Sequence, residues 1–264
     1  MPIQHERRPV RYKRHNGQRR SRSVFQVLRS HNDQSTNLRV YSSYFEVVRV
    51  RPKPVCDNEP MTSFAVIDIE TTGLDRRADR IVEIAVIQLD ANLGEQSRWL
   101  SLVNPERPVG ATDIHGLDDA ALAGAPTFRD IAVQLANLLT GRVLVAHHAA
   151  FEQEFLNNEF ARAGLNVALD AGSCVCTMDQ SRIYLPPGSH SLHGVAARLG
   201  VAAGSHHRAI HDAETCARLF KAYVELENTG KRYTDSAINR DGAAVLPAQW
   251  RRAHSWQRDE TRER

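Results

Sequence analysis

Residues 64–74 read FAVIDIETTGL. The apolar run over 64–69 suits a central strand, and Thr71-Thr72-Gly73 breaks it. Asp68 and Glu70 stand two residues apart, so on a strand both carboxylates face the same way. Two acids in such a run are costly to bury without a partner, and a metal ion would be one. A strand end wetted by solvent accommodates the pair as well, so the pair alone leaves both readings open.

Outward from that strand the pattern is regular. IVEIAVIQL (81–89) predicts a second strand, Asn92-Leu93-Gly94 a hairpin turn, and residues 95–103 a third strand. Thr127 and Asp130 form a capping box ahead of a helix carrying Ile131, Leu135, Leu138 and Leu139, which Gly141 ends. VLVA (143–146) reads as a fourth strand and 151–163 as a helix. Further helices are expected from about Thr177 to before Pro186, from Ser191 to Gly200, and over 209–227. This order, βββαβα and then helices, indicates an α/β fold with a mixed sheet: antiparallel strands first, then a crossover to a parallel one.

Charge divides the 264 residues into three parts. Residues 1–60 hold 13 Lys/Arg against 5 Asp/Glu, residues 61–230 hold 13 against 21, and residues 231–264 hold 8 against 5. The expected organisation is a basic, disordered extension over 1–60, a single domain over 61–228 and a basic C-terminal tail over 229–264. Within the extension, 39–50 reads as a short strand and Pro52, Pro54 and Pro60 mark a linker, which raises the expectation that Met61 is the true start. The tail, with Trp250 and Trp256 among arginines, reads as a disordered basic end or as a contact for a partner or nucleic acid. An acidic body is unusual for a nucleic-acid binder, unless divalent cations neutralise a cluster of its carboxylates. Four cysteines in a chain this long form no disulfide framework and fit a reducing, cytoplasmic setting. No stretch reaches the roughly 18 apolar residues of a membrane span, and the N-terminus lacks the apolar run of a secretory signal.

Two further segments carry acids in telling positions. LVAHHAAFEQEFL (144–156) leads from a strand into a helix, with Glu152 in its first turn; helix dipoles attract acids there in any case. His207-Arg208-Ala209-Ile210-His211-Asp212 opens the last helix, an arrangement in which a loop histidine can reach a water while a helical acid holds a metal, though alone it is a modest signal among 12 histidines.

Taken together, FAVIDIETTGL, the strand–helix acid roughly 80 residues further on and H-x-A-x-x-D on the final helix resemble the three motifs of the DEDDh, or DnaQ-like, 3′–5′ exonucleases. IVEIAVIQLD, LVNPERPVG, IHGL, GAPTF and SHSLHGVAARLGV look like that family too, so the resemblance covers about residues 63–225. It implies a ribonuclease H-like fold, a five-stranded mixed sheet flanked by helices. It also implies two divalent cations, Mg²⁺ or Mn²⁺, held by Asp68, Glu70, Asp212 and Glu152, with Asp68 bridging both and His207 as the general base. Thr71, Leu74 and His115 match positions that contact the terminal nucleotide, whereas Phe151 reads as core. The implied reaction releases nucleoside 5′-monophosphates from single-stranded 3′ ends, of DNA rather than RNA, with a DNA polymerase as a possible partner.

The second motif departs from the usual Asn-x-x-Phe-Asp, since His148 and Glu152 stand in it here. Glu adds a methylene and displaces its carboxylate by about 1.5 Å, one C–C bond. That favours the more forgiving Mn²⁺ or lowers the rate. The alternative from another class is a weakened module of the same fold that binds nucleic-acid ends or a polymerase without cutting. A zinc site of Cys174, Cys176, His207 and His211 is a further rival, opposed by the C-x-C spacing.

Overall fold

A computed structural model describes residues 62–204 and 207–258. The expectations placed on residues 1–61, including the strand at 39–50 and the start at Met61, lie outside the described residues. The elements run β1 (Ser63–Thr71), β2 (Ile81–Leu89), β3 (Glu95–Leu102), α1 (Thr112–His115), α2 (Asp119–Leu122), α3 (Phe128–Leu139), β4 (Arg142–Ala146), α4 (Ala149–Ala163), β5 (Cys174–Cys176), α5 (Thr177–Tyr184), α6 (Leu192–Leu199), α7 (Ala209–Asn228), β6 (Ala237–Ile238) and β7 (Ala244–Val245).

Five strands form one mixed sheet in the order β3-β2-β1-β4-β5. β1 pairs antiparallel with β2 and parallel with β4; β4 pairs parallel with β5. Side chains alternate along β1, and the two faces meet different layers. Ala65, Ile67 and Ile69 pack with α3 and α4, in a core that includes Phe128, Leu135, Phe155 and Phe160. Phe64 and Val66 pack with α5, α6 and α7, against residues such as Tyr184, Val195, Phe220 and Tyr223. Asp68 and Glu70 share the parity of Phe64 and Val66, so they face the α7 layer.

The pairing of β1 with β4 runs only from Ser63↔Arg142 to Val66↔Val145. Beyond Val66, β1 continues with β2 alone on one side, reaching Glu70↔Glu83. The last residues of the central strand therefore emerge past its parallel neighbour, at the carboxyl end of the strands where the order reverses. Open α/β sheets bind ligands in such a crevice.

Residues 229–258 differ from the free basic end expected of them. Trp250 packs with Tyr184 and Phe220 on one face of the sheet (ring centroids 6.0 and 5.6 Å), and Trp256, 2 % exposed, enters the core on the other. Backbone bonds Gly141 N–H to Trp256 O (2.7 Å) and Trp256 N–H to Arg142 O (2.8 Å) fix the segment beside β4. The Gln249 side chain lies along β5: its Oε1 accepts from Cys176 N–H and its Nε2 donates to Cys174 O, both at 3.0 Å. Two buried indoles outweigh the solvation of the arginines around them, because each removes a large apolar area from water.

This segment is expected to be part of the folded unit. Trp256→Ala should cost about 3–5 kcal/mol in urea denaturation, the usual range for deleting a buried aromatic. A loss under about 1 kcal/mol would show that the segment contributes little.

Candidate active site

Each acid reaches the crevice from a different constraint. Asp68 and Glu70 come from β1 by strand alternation. Asp212 lies in the first turn of α7, which packs across β1 and β2. Glu152 lies in the first turn of α4, which follows directly on β4. Ligand atoms of Glu70, His207 and Asp212 lie within 4.8 Å of one another, the one metal-sized group of acids, histidines or cysteines among the described residues. The set Cys174, Cys176, His207 and His211 is not brought together there.

The charges in this crevice are poorly compensated. Burial first, and then Glu152, Asp212, Glu70 and Glu83, push the Asp68 carboxyl well above its ordinary range. Burial, Asp212 and Glu83 raise Glu70 to about 7, with Arg208 opposing. Burial raises Glu152 to about 8, against its own backbone N–H and Arg76. Oε2 of Glu152 is buried and accepts no hydrogen bond among the described residues. His207 N–H donates to Asp212 Oδ2 (3.3 Å). His207 itself is exposed and holds a left-handed backbone (φ 59°), costly for a residue with a Cβ.

Elsewhere the fold neutralises its buried acids. Glu159 on α4 receives Arg80 on both oxygens (2.6 and 3.0 Å) and Arg162 at 3.0 Å. Glu83 on β2, 0 % exposed, accepts from Arg208 Nη2 (2.7 Å) and Nε (3.1 Å) and from Ala209 N–H (2.9 Å). Glu83 thus satisfies an N-terminal N–H of α7 and holds the residue next to His207. The contrast with Asp68, Glu70 and Glu152 is chemical: among the described residues no arginine forms a hydrogen bond or ion pair with those three.

The residues matched to substrate contact are placed unequally. Leu74 stands 83 % exposed at the end of the β1 turn. Thr71 is buried, its Oγ1 donating to Gly73 O (2.6 Å). The turn is pinned by Gly110, where a Cβ would stand 2.2 Å from Thr72 O. His115 is buried with both ring nitrogens engaged in its own loop, Nε2 with Gly110 O (3.1 Å) and Nδ1 with Leu117 N–H (3.1 Å). That geometry makes His115 a brace of the Gly110 loop. Phe151 packs on Phe155 (4.7 Å) but also carries His148 stacked at 5.7 Å, so it is only partly core.

Sequence reasoning missed three neighbours of the site. Glu83 was signalled by an acid inside IVEIAVIQL, as conspicuous as Asp68 in its own strand. Arg208 carried no signal of its own. His193, in the first turn of α6, has Nε2 3.7 Å from Asp212 Oδ1 and stood within a segment quoted only for its likeness to the family.

Known proteins resemble this arrangement. The RNase_T family, described as exonuclease, matches residues 65–220. A DNA polymerase III PolC-type of Oceanobacillus iheyensis is 33 % identical over 167 residues, 62 % of this chain and 11 % of that protein. The corresponding protein of Bacillus cereus is 30 % identical over 178 residues, 66 % of this chain and 12 % of its own length. The chain thus spans about an eighth of these relatives. Among solved structures, E. coli exonuclease I in complex with a dT13 oligonucleotide superposes with a TM-score of 0.54 at 16 % identity, covering 64 % of this chain and 41 % of that one. A 3′-exonuclease with a histone mRNA stem-loop gives 0.53 at 15 %, covering 70 % and 89 %. Those two likenesses bear on the fold, which is ribonuclease H-like with the five-stranded mixed sheet expected. With the family matched over more than half its length, the chain belongs to the RNase T-type, DnaQ-like exonucleases.

Proposed function

We propose that this chain is a metal-dependent 3′–5′ exonuclease that releases nucleoside 5′-monophosphates from single-stranded 3′ ends, of DNA in preference to RNA. The observation that carries the metal is a contrast between acids: Glu83 and Glu159 are gripped by arginines, whereas Asp68 and Glu70 are crowded by other acids and Glu152 is buried, none of them paired with an arginine among the described residues. An all-oxygen set of this kind, with an unused buried oxygen on Glu152, fits hard divalent cations such as Mg²⁺ or Mn²⁺. Asp68, Glu70, Glu152 and Asp212 would hold two of them. When bound, such cations supply a lowered pKa for water and a counter-charge for the leaving 3′-oxygen.

The chain's own groups do the rest. His207, exposed beside Asp212, takes the proton from the attacking water as its oxygen joins phosphorus and the P–O3′ bond breaks. The Glu83–Arg208 pair and the His207–Asp212 hydrogen bond hold the left-handed turn that aims His207. Leu74 and the backbone at Thr71 meet the terminal nucleotide, with His115 bracing the loop beside them. DNA is favoured because the relatives at 30 % identity or more are PolC-type DNA polymerases, which also makes a polymerase a partner to test. A module that binds ends without cutting is the competing reading, supported only by Glu152 in place of aspartate.

Purified full-length protein with Mg²⁺ or Mn²⁺ should release mononucleotides from single-stranded DNA faster than from duplex DNA or RNA. Asp68→Asn and Asp212→Asn should abolish release, and His207→Ala should lower it by about 10²-fold or more, with partial rescue at high pH. Glu152→Asp should raise the rate. No release with either metal would favour the binding module.

Metal-free protein should respond to pH through Glu70 and Glu152. Their folded pKa values lie above the unfolded ones, so the folded form binds more protons between about 4.5 and 8, and stability falls as pH rises through that window. In EDTA the Tm should drop from pH 5 to 8 by at least the roughly 2–4 °C that 1 kcal/mol represents at this size. Mn²⁺ should reverse the drop. A flat profile would contradict the crowding.

Arg208→Ala should cost about 2–3 kcal/mol, below the roughly 3–5 kcal/mol for breaking a fully buried pair because Arg208 is itself half-exposed. It should also lower kcat with little change in KM, and Arg208→Lys should recover part of both. An effect on stability alone would reduce the pair to a structural role.

A further inference from the structure

Arg240 comes from the β6–β7 turn, outside the segment that the exonuclease family matches, yet it shares a groove with Leu74, one of the residues matched to substrate contact. Asn239 fixes that turn. Its Oδ1 accepts from Asp241 N–H (3.0 Å) and Ala243 N–H (2.8 Å), and its Nδ2 donates to Asp179 Oδ2 on α5 (3.3 Å). Arg240 is exposed and lines a groove with Leu74, Arg76, His148 and Phe151. The His148 and Phe151 rings are stacked 13° from parallel, and the Arg76 guanidinium lies 5.8 Å over Phe151.

The two arginines of this groove differ in commitment. Arg76 is held by both oxygens of Glu154 at 3.0 Å. Arg240 has no hydrogen bond or ion pair with the other described residues. Burial and then Arg240 and Arg76 lower the proton affinity of His148, with Asp241 and Asp179 opposing, so the guanidinium does bear on the ring stack. An uncommitted guanidinium beside a flat aromatic surface is suited to a nucleic-acid strand, whose bases stack and whose phosphates take a fork of N–H donors.

We infer that Arg240 binds a backbone phosphate of a single strand whose bases lie against His148 and Phe151, so that the segment after α7 completes the substrate groove. This rests on the proposed exonuclease reading and extends it to a residue beyond the family-matched segment. His148, where the usual motif has asparagine, becomes part of a stacking surface, and the hairpin gives that surface its second cation.

Binding of a labelled single-stranded DNA oligonucleotide to the full chain, with Ca²⁺ as the metal, tests this over a salt series. Arg240→Ala should weaken binding about threefold or more at low salt and lower the slope of log K against log[salt] by about 0.7, the share of one phosphate on a single strand. The gap to wild type should then narrow about 2.6-fold between roughly 50 and 200 mM salt. Arg240→Lys should keep the slope, and unchanged melting temperatures should show both variants folded. Equal affinity and slope for Arg240→Ala and a wild type that releases mononucleotides would overturn this inference alone. A wild type that neither binds nor cuts DNA or RNA would overturn the exonuclease reading with it.

Discussion

Burial of carboxylates at one strand end, with mutual repulsion added at Asp68 and Glu70, is the constraint on which the molecule turns. Strand alternation points Asp68 and Glu70 at α7, and the short pairing of β4 leaves them at an open strand end. Asp212 and Glu152 approach from opposite layers of the sandwich. No single element would hold this charge. It takes a rigid central strand with a full apolar core on each side, and Phe64, Val66, Ile67 and Ile69 supply both cores from the same run of sequence.

The treatment of the remaining buried acids gives that repulsion its meaning. Glu159 and Glu83 are buried more deeply than the site carboxylates, and each has an arginine fork. The chain therefore has the means to neutralise a buried acid and uses them one residue away from the catalytic histidine candidate. Where arginine is withheld, a bound proton or an external cation is left to balance the charge.

The mixed sheet, with antiparallel strands ahead of a parallel one, and the main helices of both layers were legible because they rest on periodicity, whereas the three acid-bearing motifs were joined by their resemblance to a family. Period two on β1 sets Asp68 and Glu70 on one face, but that pair and the H-x-A-x-x-D spacing on α7 each left other readings open when taken alone. What escaped has a different physical origin. β5 is only three residues long, Cys174–Cys176, too short for any alternation to register. Trp250 and Trp256 are isolated apolar residues in a basic segment, and their burial is decided by surfaces made elsewhere in the chain. His115 matched a substrate-contacting position by its local motif, but its hydrogen bonds depend on how the Gly110 loop folds back. Glu83 and Arg208 are 125 residues apart in sequence, and only the packing of α7 on β2 brings them together.

The Gln249 amide set along β5 has a bearing on how the molecule behaves in company. An open strand with unpaired peptide groups is a template on which another copy can add a strand. By giving Cys174 O and Cys176 N–H a side-chain partner, Gln249 occupies the bonds that such an addition would use. At the opposite margin β3 offers Glu95 and Arg98, locked together and with Glu214, a charged rim that a neighbouring strand would have to desolvate. Among the described residues, one margin of the sheet thus carries an imitation of a strand and the other a charged rim, both of which make the addition of a further strand less favourable.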